Sequence, residues 1–186
     1  MANTAQEYDS VMEICRDIFT QKMHDYGSAW RILRTASLTD QIFIKANRIR
    51  NLEEKGCSRV QEGVIPEFIG IVNYAIMGLI QLELGPGEDL PPERINALYL
   101  SYFQKAKKLM SDKNHDYDEA WRNMRISSYT DLILMKIRRT KQIEDHRGDL
   151  WVSEGIDANY FDMVNYAVFA LIRLVIEKEE EINKNN

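Results

Sequence analysis

The sequence predicts an all-α protein, a six-helix bundle built from two tandem three-helix repeats that are related by a pseudo-twofold axis. Apolar residues recur at spacings of three and four, and no segment sustains the alternation typical of a strand. The second half of the chain repeats the first at a shift of 91 or 92 residues. A single segment rich in glycine and proline, residues 85–92, separates the two halves.

The first two helices of the first repeat are indicated by an apolar stripe and by capping signals. The stripe predicts a helix over about residues 6–23, and a short helical turn is expected through Trp30. The next helix is expected to begin near Ser37, because Ser37-Leu-Thr-Asp40 has the form of a capping box. Gly56 is expected to end it, since glycine is the residue most often found just past a helix.

The third helix is expected to run over residues 66–84 and to be the central buried element, because it is apolar nearly all round. Pro66 suits its first position, where the missing N–H costs nothing. The second repeat has the same order, with helices expected over about residues 93–113, 129–146 and 157–182.

The repeats themselves cover about residues 8–84 and 99–177. The boundary between them divides the chain into residues 1–87 and 88–186. We expect the two parts to form one compact unit, because the exposed apolar face of each repeat matches that of its twin.

Composition excludes several classes of protein. The net charge of −5 disfavours a protein that coats nucleic acid, whose affinity comes from a cationic surface. Cys15 and Cys57 are too few for a disulfide framework or a cysteine zinc site. No signal peptide is recognised, and the longest apolar stretch, residues 68–82, is too short and too polar to span a membrane. A cytoplasmic protein is expected.

The two repeats agree most at polar positions, although core packing alone tolerates many apolar exchanges. The set contains no serine–base or cysteine–histidine pair of the kind that covalent catalysis uses. Its acids, cations and aromatic rings suit a phosphate-bearing ligand such as a nucleotide. The matched polar pairs are His24/His115, Asp25/Asp116, Arg31/Arg122, Arg34/Arg125, Asp40/Asp131, Lys45/Lys136, Arg48/Arg139, Glu62/Glu154 and Asn73/Asn165.

Candidate ligand-binding residues come from this matched set and from the tyrosines beside it. A lysine and an arginine lie one helical turn apart in each repeat, on one face. That face is either a phosphate-binding stripe or a solvated stripe paired with neighbouring acids, and a structural role stays open for the histidines and tyrosines. The candidates are Lys45, Arg48, Lys136, Arg139, Tyr26, Tyr117, His24, His115, Asn73 and Asn165.

Candidate metal ligands are acids at the start of the third helix of each repeat, namely Glu62, Glu154, Asp157 and Asp162. A buried unpaired carboxylate is costly, so Asp162, on a mostly apolar helix, is expected to face a partner or a cavity. The first repeat has Gly70 at that position, and the two repeats are therefore not expected to be equal as Mg²⁺ sites. The alternative for Glu62 and Glu154 is that they complement the charge of a helix N-terminus.

Three blocks in each repeat carry a resemblance to a known family. In the first repeat they are His24-Asp-Tyr-Gly-Ser-Ala-Trp30, Lys45-Ala-Asn-Arg-Ile-Arg50, and Glu62-Gly-Val followed by Ile71-Val-Asn-Tyr-Ala75. With these blocks the chain resembles the nucleotide modification associated domain type 1 family, once per repeat and over nearly its whole length. That family is distantly similar to the MazG-like all-α nucleoside triphosphate pyrophosphatases.

The resemblance implies nucleotide binding and, through the MazG-like enzymes, Mg²⁺-dependent cleavage of a nucleoside triphosphate to monophosphate and pyrophosphate. It assigns the acids to the metal and the Lys-x-x-Arg pairs to phosphates. Pro66, Gly70 and Ala158 stand where that pattern has acids. The expected function is a nucleotide-binding protein of nucleotide metabolism or modification, for which a Mg²⁺-dependent nucleoside triphosphate pyrophosphohydrolase is one form, and the alternative is a non-catalytic helical interaction or regulatory module. The expected partner is a nucleotide or another phosphate-bearing small molecule, not a membrane or nucleic acid, and a homo-oligomer stays open.

Overall fold

The structure is a computed structural model that describes residues 3–56, 60–146 and 155–185, with only the backbone of residues 60–62. All long elements in these ranges are helices, and no strand occurs in them. This confirms the predicted all-α bundle of two three-helix repeats.

Each repeat has the order helix, 3₁₀ turn, helix, helix. The last helix of the second repeat continues through a π-helical turn, Ile172–Ile176, into a short C-terminal helix. The first repeat contains α1 (Thr4–Tyr26), the turn Ala29–Ile32, α2 (Thr35–Lys55) and α3 (Val60–Leu84). The second contains α4 (Pro92–Tyr117), the turn Ala120–Asn123, α5 (Ile126–Asp145), α6 (Ile156–Leu171) and α7 (Glu177–Lys184).

Two predicted helix starts are wrong. α2 begins at Thr35 with no side-chain cap, so Ser37 lies inside the first turn and does not cap the helix. Pro66 lies inside α3 and not at its first position, because the helix already begins at Val60. A proline inside a helix lacks the N–H of one backbone hydrogen bond, and α3 continues past Pro66 to Leu84. The predicted end of α2 is confirmed, since Gly56 adopts a left-handed conformation with φ 59° and ψ 27°.

The two apolar helices α3 and α6 pack against each other at the centre, as predicted. Their close approach depends on a glycine. A Cβ atom added to Gly78 on α3 would lie 2.9 Å from Cζ of the buried Tyr160 on α6. Buried residues of both repeats form one continuous hydrophobic core, so the repeats make one unit.

The pseudo-twofold relation appears in reciprocal hydrogen bonds between the repeats. Tyr8 of the first repeat donates to Oδ1 of Asn165 at 2.7 Å. Its counterpart Tyr99 donates to Oδ1 of Asn73 at 2.8 Å. A twofold rotation exchanges one bond for the other, which is the arrangement expected for a duplicated unit that packs on its twin.

Two helical segments, Gly63–Leu84 and Ile156–Lys184, are long and apolar enough to cross a membrane by length and composition alone. In each of them 67% of the most apolar window is buried inside the bundle. Packing in the core therefore accounts for their apolar character.

Candidate functional site

A cleft of about 660 Å³ opens in the first repeat between the end of α1, the following 3₁₀ turn, α2 and α3. Side chains of its wall are mainly apolar, and several of them are aromatic. The principal apolar residues are Phe19, Met23, Trp30, Leu33, Ile69 and Met77. Its polar residues include Lys22, Tyr26, Lys45, Glu67 and Asn73. An apolar cleft with a few convergent polar groups is the usual form of a small-molecule site.

A buried carboxylate, Glu67, lies in the wall of this cleft with two cations beside it. Nη1 of Arg48 donates to Oε1 at 3.2 Å, and Nζ of Lys45 lies 3.3 Å from Oε2. The Glu67 side chain is only 7% exposed, so these cations offset the cost of burying its charge. The Lys-x-x-Arg pair of the first repeat therefore pairs with an acid, and Lys45 also lines the cleft.

Oε2 of Glu67 is a buried oxygen atom without a hydrogen bond to any described residue. Lys45 contacts it as an ion pair, without hydrogen-bond geometry. A buried acceptor of this kind in a cleft wall is available to a ligand that brings an N–H or O–H group.

The second repeat has two lysines on one carboxylate at the equivalent place. Lys113 donates to Oδ1 of Asp162 at 2.9 Å, and Lys136 lies 2.8 Å from Oδ2. Burial raises the pKa of Asp162, but hydrogen bonds from Lys136 and Lys113 outweigh it and hold the pKa below 3.8. Asp162 therefore faces two cations, and both of its oxygens are engaged.

Phe169 also fills space in the second repeat that the first repeat leaves free. Its ring stacks on Trp121, with centroids 4.3 Å apart and planes 8° from parallel. The corresponding residues of the first repeat are Met77 and Trp30, which both line the cleft. The sequence shows that Gly70 lacks the carboxylate of Asp162. It does not show that the smaller side chain at Met77 leaves space for a cleft.

In each matched asparagine the side-chain nitrogen donates a hydrogen bond and the side-chain oxygen accepts one, both within the protein. Asn73 donates to the carbonyl oxygen of Cys15 at 3.1 Å and accepts from Tyr99. Asn165 donates to the carbonyl oxygen of Ala106 at 3.0 Å and accepts from Tyr8. Asn73 still borders the cleft, but its polar atoms are already used.

The matched arginines of the 3₁₀ turns hold those turns against the bundle. Arg31 donates to the carbonyl oxygen of Gly85 at 2.7 Å and also contacts Gln81. Arg122 donates to Glu177 at 2.7 Å, and it is also paired with Glu7. These contacts explain why a polar residue recurs here without any ligand.

The matched histidines and tyrosines lie at the exposed ends of α1 and α4. Tyr26 and Tyr117 are 75% and 72% exposed, and each histidine contacts only the aspartate that follows it among the described residues. Tyr26 lines the cleft, whereas His24 and His115 are not brought to any of the acids of the third helices.

The predicted Mg²⁺ ligands are only partly within the described structure. Glu154 and the side chain of Glu62 lie outside it, and Asp157 is exposed in the first turn of α6. Among the described residues no three histidine, cysteine or acidic side chains are grouped as metal ligands. Among the described residues, cations contact both oxygens of Asp162 and flank Glu67, and the Mg²⁺ site stays a prediction. Arg139 lies on the exposed face of α5 and is engaged in a contact of its own.

Comparison with known families identifies the repeated unit. The family model described as nucleotide modification associated domain 1 matches residues 22–82 and 113–174, which together exceed half of the chain. A search of the curated proteins and a search of the solved structures each found no match. The two segments begin at equivalent lysines, Lys22 and Lys113. The chain belongs to the nucleotide modification associated domain 1 family, with one copy of the domain in each repeat.

Proposed function

We propose that the protein binds a nucleotide, and that the cleft of the first repeat is the binding site. The observation that carries the proposal is the presence of lysines and exposed aromatic surface in one cleft. Lys22 and Lys45 supply positive charge for phosphate oxygens, and Trp30 supplies a ring against which a base stacks. The volume of about 660 Å³ lies within the usual range for ligand sites.

The buried acid in the wall adds a reason to favour a nucleotide over simple phosphate. Oε2 of Glu67 is an acceptor without a hydrogen-bond donor among the described residues. Exocyclic amino groups of bases and hydroxyl groups of ribose are donors that match it. The family description, which names nucleotide modification, supports the same class of ligand.

The Mg²⁺-dependent pyrophosphohydrolase activity implied by the MazG-like resemblance stays a prediction. The described side chains offer no ligand set for the metal, so the proposal is for binding and includes no hydrolytic step. A regulatory protein that senses a nucleotide accords with this arrangement as well as an enzyme does.

Isothermal titration calorimetry with nucleoside mono-, di- and triphosphates, in EDTA and again in Mg²⁺, tests the proposal. We expect saturable binding in EDTA, because the proposed contacts require no metal. Pyrophosphate release measured in the same Mg²⁺ samples tests the hydrolase. Absence of binding at millimolar nucleotide in both buffers would contradict the proposal.

A matched pair of substitutions tests the location of the site. Met77→Phe introduces into the first repeat the ring that Phe169 provides in the second, and it should fill part of the cleft. We expect nucleotide binding to weaken by about tenfold or more, the equivalent of at least ~1.4 kcal/mol. The control, Phe169→Met, should leave binding unchanged, since Asp162 still joins the two lysines there.

A further inference from the structure

The two repeats have equivalent pairs of lysines, but the residue beside the pair is a glycine in the first repeat and an aspartate in the second. Lys22 and Lys45 of the first repeat correspond to Lys113 and Lys136 of the second, and Gly70 corresponds to Asp162. We infer that the cleft has an anion subsite above Gly70, between Lys22 and Lys45, which accepts a phosphoryl group of the ligand. The inference rests on the proposed function and adds the position and charge of the group that is bound.

The second repeat shows what these lysines hold when an anion is supplied by the chain. Both ammonium groups lie within 2.9 Å of the Asp162 carboxylate, one on each oxygen. The carboxylate is mostly buried, with 17% of the side chain exposed, so it is a fixed internal anion. Charge-assisted bonds from two lysines to two oxygens are equally suited to a phosphoryl group.

The first repeat lacks this internal anion. Gly70 has no side chain, and Lys45 passes over it: a Cβ atom placed there would lie 3.2 Å from Cε of Lys45. The acid of this repeat is Glu67, at the position of Asn159 and about one helical turn earlier, and it holds Lys45 from one side. Lys22 lines the cleft, is exposed, and has no ion pair to a described residue.

The two sites differ in where their acid lies. In the second repeat the carboxylate of Asp162 joins both lysines. In the first repeat Glu67, the one acid among the described residues that line the cleft, is shared between Lys45 and Arg48 and has no ion pair to Lys22. A phosphoryl group between Lys22 and Lys45 would take the place that the Asp162 carboxylate has between Lys113 and Lys136.

Calorimetry with a nucleoside and its 5′-monophosphate tests the subsite, because the two ligands differ only in the phosphoryl group. With the wild-type protein we expect the monophosphate to bind at least about tenfold more tightly. In Gly70→Asp the ratio of the dissociation constants of nucleoside and monophosphate should fall to about one, since the new carboxylate would occupy the subsite and pair with both lysines. The fold should tolerate it, because only the flexible end of Lys45 has to move.

Two controls separate charge from bulk. Gly70→Asn adds a side chain of the same size without the charge, and it should keep part of the preference for the monophosphate. Gly63→Asp adds the same charge to an exposed position of α3 outside the cleft and should leave the preference unchanged. Inorganic phosphate should compete with the monophosphate for the wild-type protein and not for Gly70→Asp.

The outcomes distinguish failure of the subsite from failure of the proposed function. If neither ligand binds the wild-type protein, the proposed function fails. If both bind and folded Gly70→Asp keeps the full preference for the monophosphate, the subsite is contradicted while nucleotide binding stands. If Gly70→Asp does not fold, Lys22→Met gives the same test, with Lys113→Met as its matched control. An unchanged preference in Lys22→Met would then overturn the inference.

Discussion

The hydroxyl group of Tyr8 on α1 donates to the amide oxygen of Asn165 on α6 at 2.7 Å, and both side chains are buried. Asn165 in turn donates to the carbonyl oxygen of Ala106 on α4. Asn165 thus joins α1 and α4, the first helices of the two repeats, to α6. Asn73 makes the twofold-related pair of hydrogen bonds: it accepts from Tyr99 and donates to the carbonyl oxygen of Cys15. The matched asparagines are therefore structural links across the pseudo-twofold axis.

Tyr8→Phe and Tyr99→Phe should each destabilise the bundle by a similar amount. Burial raises the pKa of both hydroxyl groups well above 10.0, so they stay protonated and act as donors. Each substitution leaves a buried amide oxygen without its donor, which costs about 1–3 kcal/mol. Urea denaturation measures the change in free energy of unfolding. Tyr26→Phe, at an exposed tyrosine, is the control, and an equally small effect at Tyr8 would contradict the link.

The contact between α3 and α6 predicts opposite effects for one substitution at two glycines of the same helix. Gly78→Ala places a methyl group 2.9 Å from the ring of the buried Tyr160 and should destabilise by about 1–3 kcal/mol. Gly63→Ala meets only Leu52 at 3.5 Å and should stabilise by roughly 0.5–1 kcal/mol, because alanine favours the helix. Thermal and urea unfolding measure both. A stabilising Gly78→Ala would show that the two helices are not in close contact.

Asp162→Asn should make the stability of the protein less dependent on acid pH. The pKa of Asp162 in the folded protein is depressed below 3.8, mainly by Lys136 and Lys113 acting against burial. Its contribution is therefore complete above the unfolded pKa and is lost as the pH falls through the folded one. We expect wild type to exceed the variant by about 1–3 kcal/mol at neutral pH.

That difference should shrink as the pH falls below 3.8. Urea titrations at a series of pH values measure it, and a difference that does not vary with pH would contradict the assigned ion pairs. Nucleotide binding by the variant should equal that of wild type, because the cleft lies in the other repeat.

The fold could be predicted because two of its features can be read directly from the sequence. The apolar periodicity marks each helix, and internal matching at a shift of 91 or 92 residues fixes the repeat. Helix starts were less accurate at Ser37 and Pro66, since a capping pattern and a proline are local signals that do not exclude helix before them. The partners of Asn73 and Asn165 could not be predicted, because those tyrosines are distant in sequence and belong to the other repeat.

The candidate site was predicted less completely. The rule that a buried carboxylate needs a partner indicates that Asp162 is engaged, and the structure shows that Lys136 is one partner. The position of the cleft does not follow from a list of polar residues, because it depends on side chains that are small or absent. Met77 leaves space in the first repeat where Phe169 stacks on a tryptophan in the second, and Gly70 has no side chain where the second repeat has Asp162.

The central claim is that the first repeat binds a nucleotide and the second does not. Amide and indole NMR spectra of isotope-labelled protein, titrated with a nucleoside monophosphate, test it directly. We predict that the signals of Gly70 and Trp30 move, while those of their counterparts Asp162 and Trp121 stay in place. Shifts confined to Asp162 and Trp121, or no shifts at millimolar nucleotide, would contradict the account.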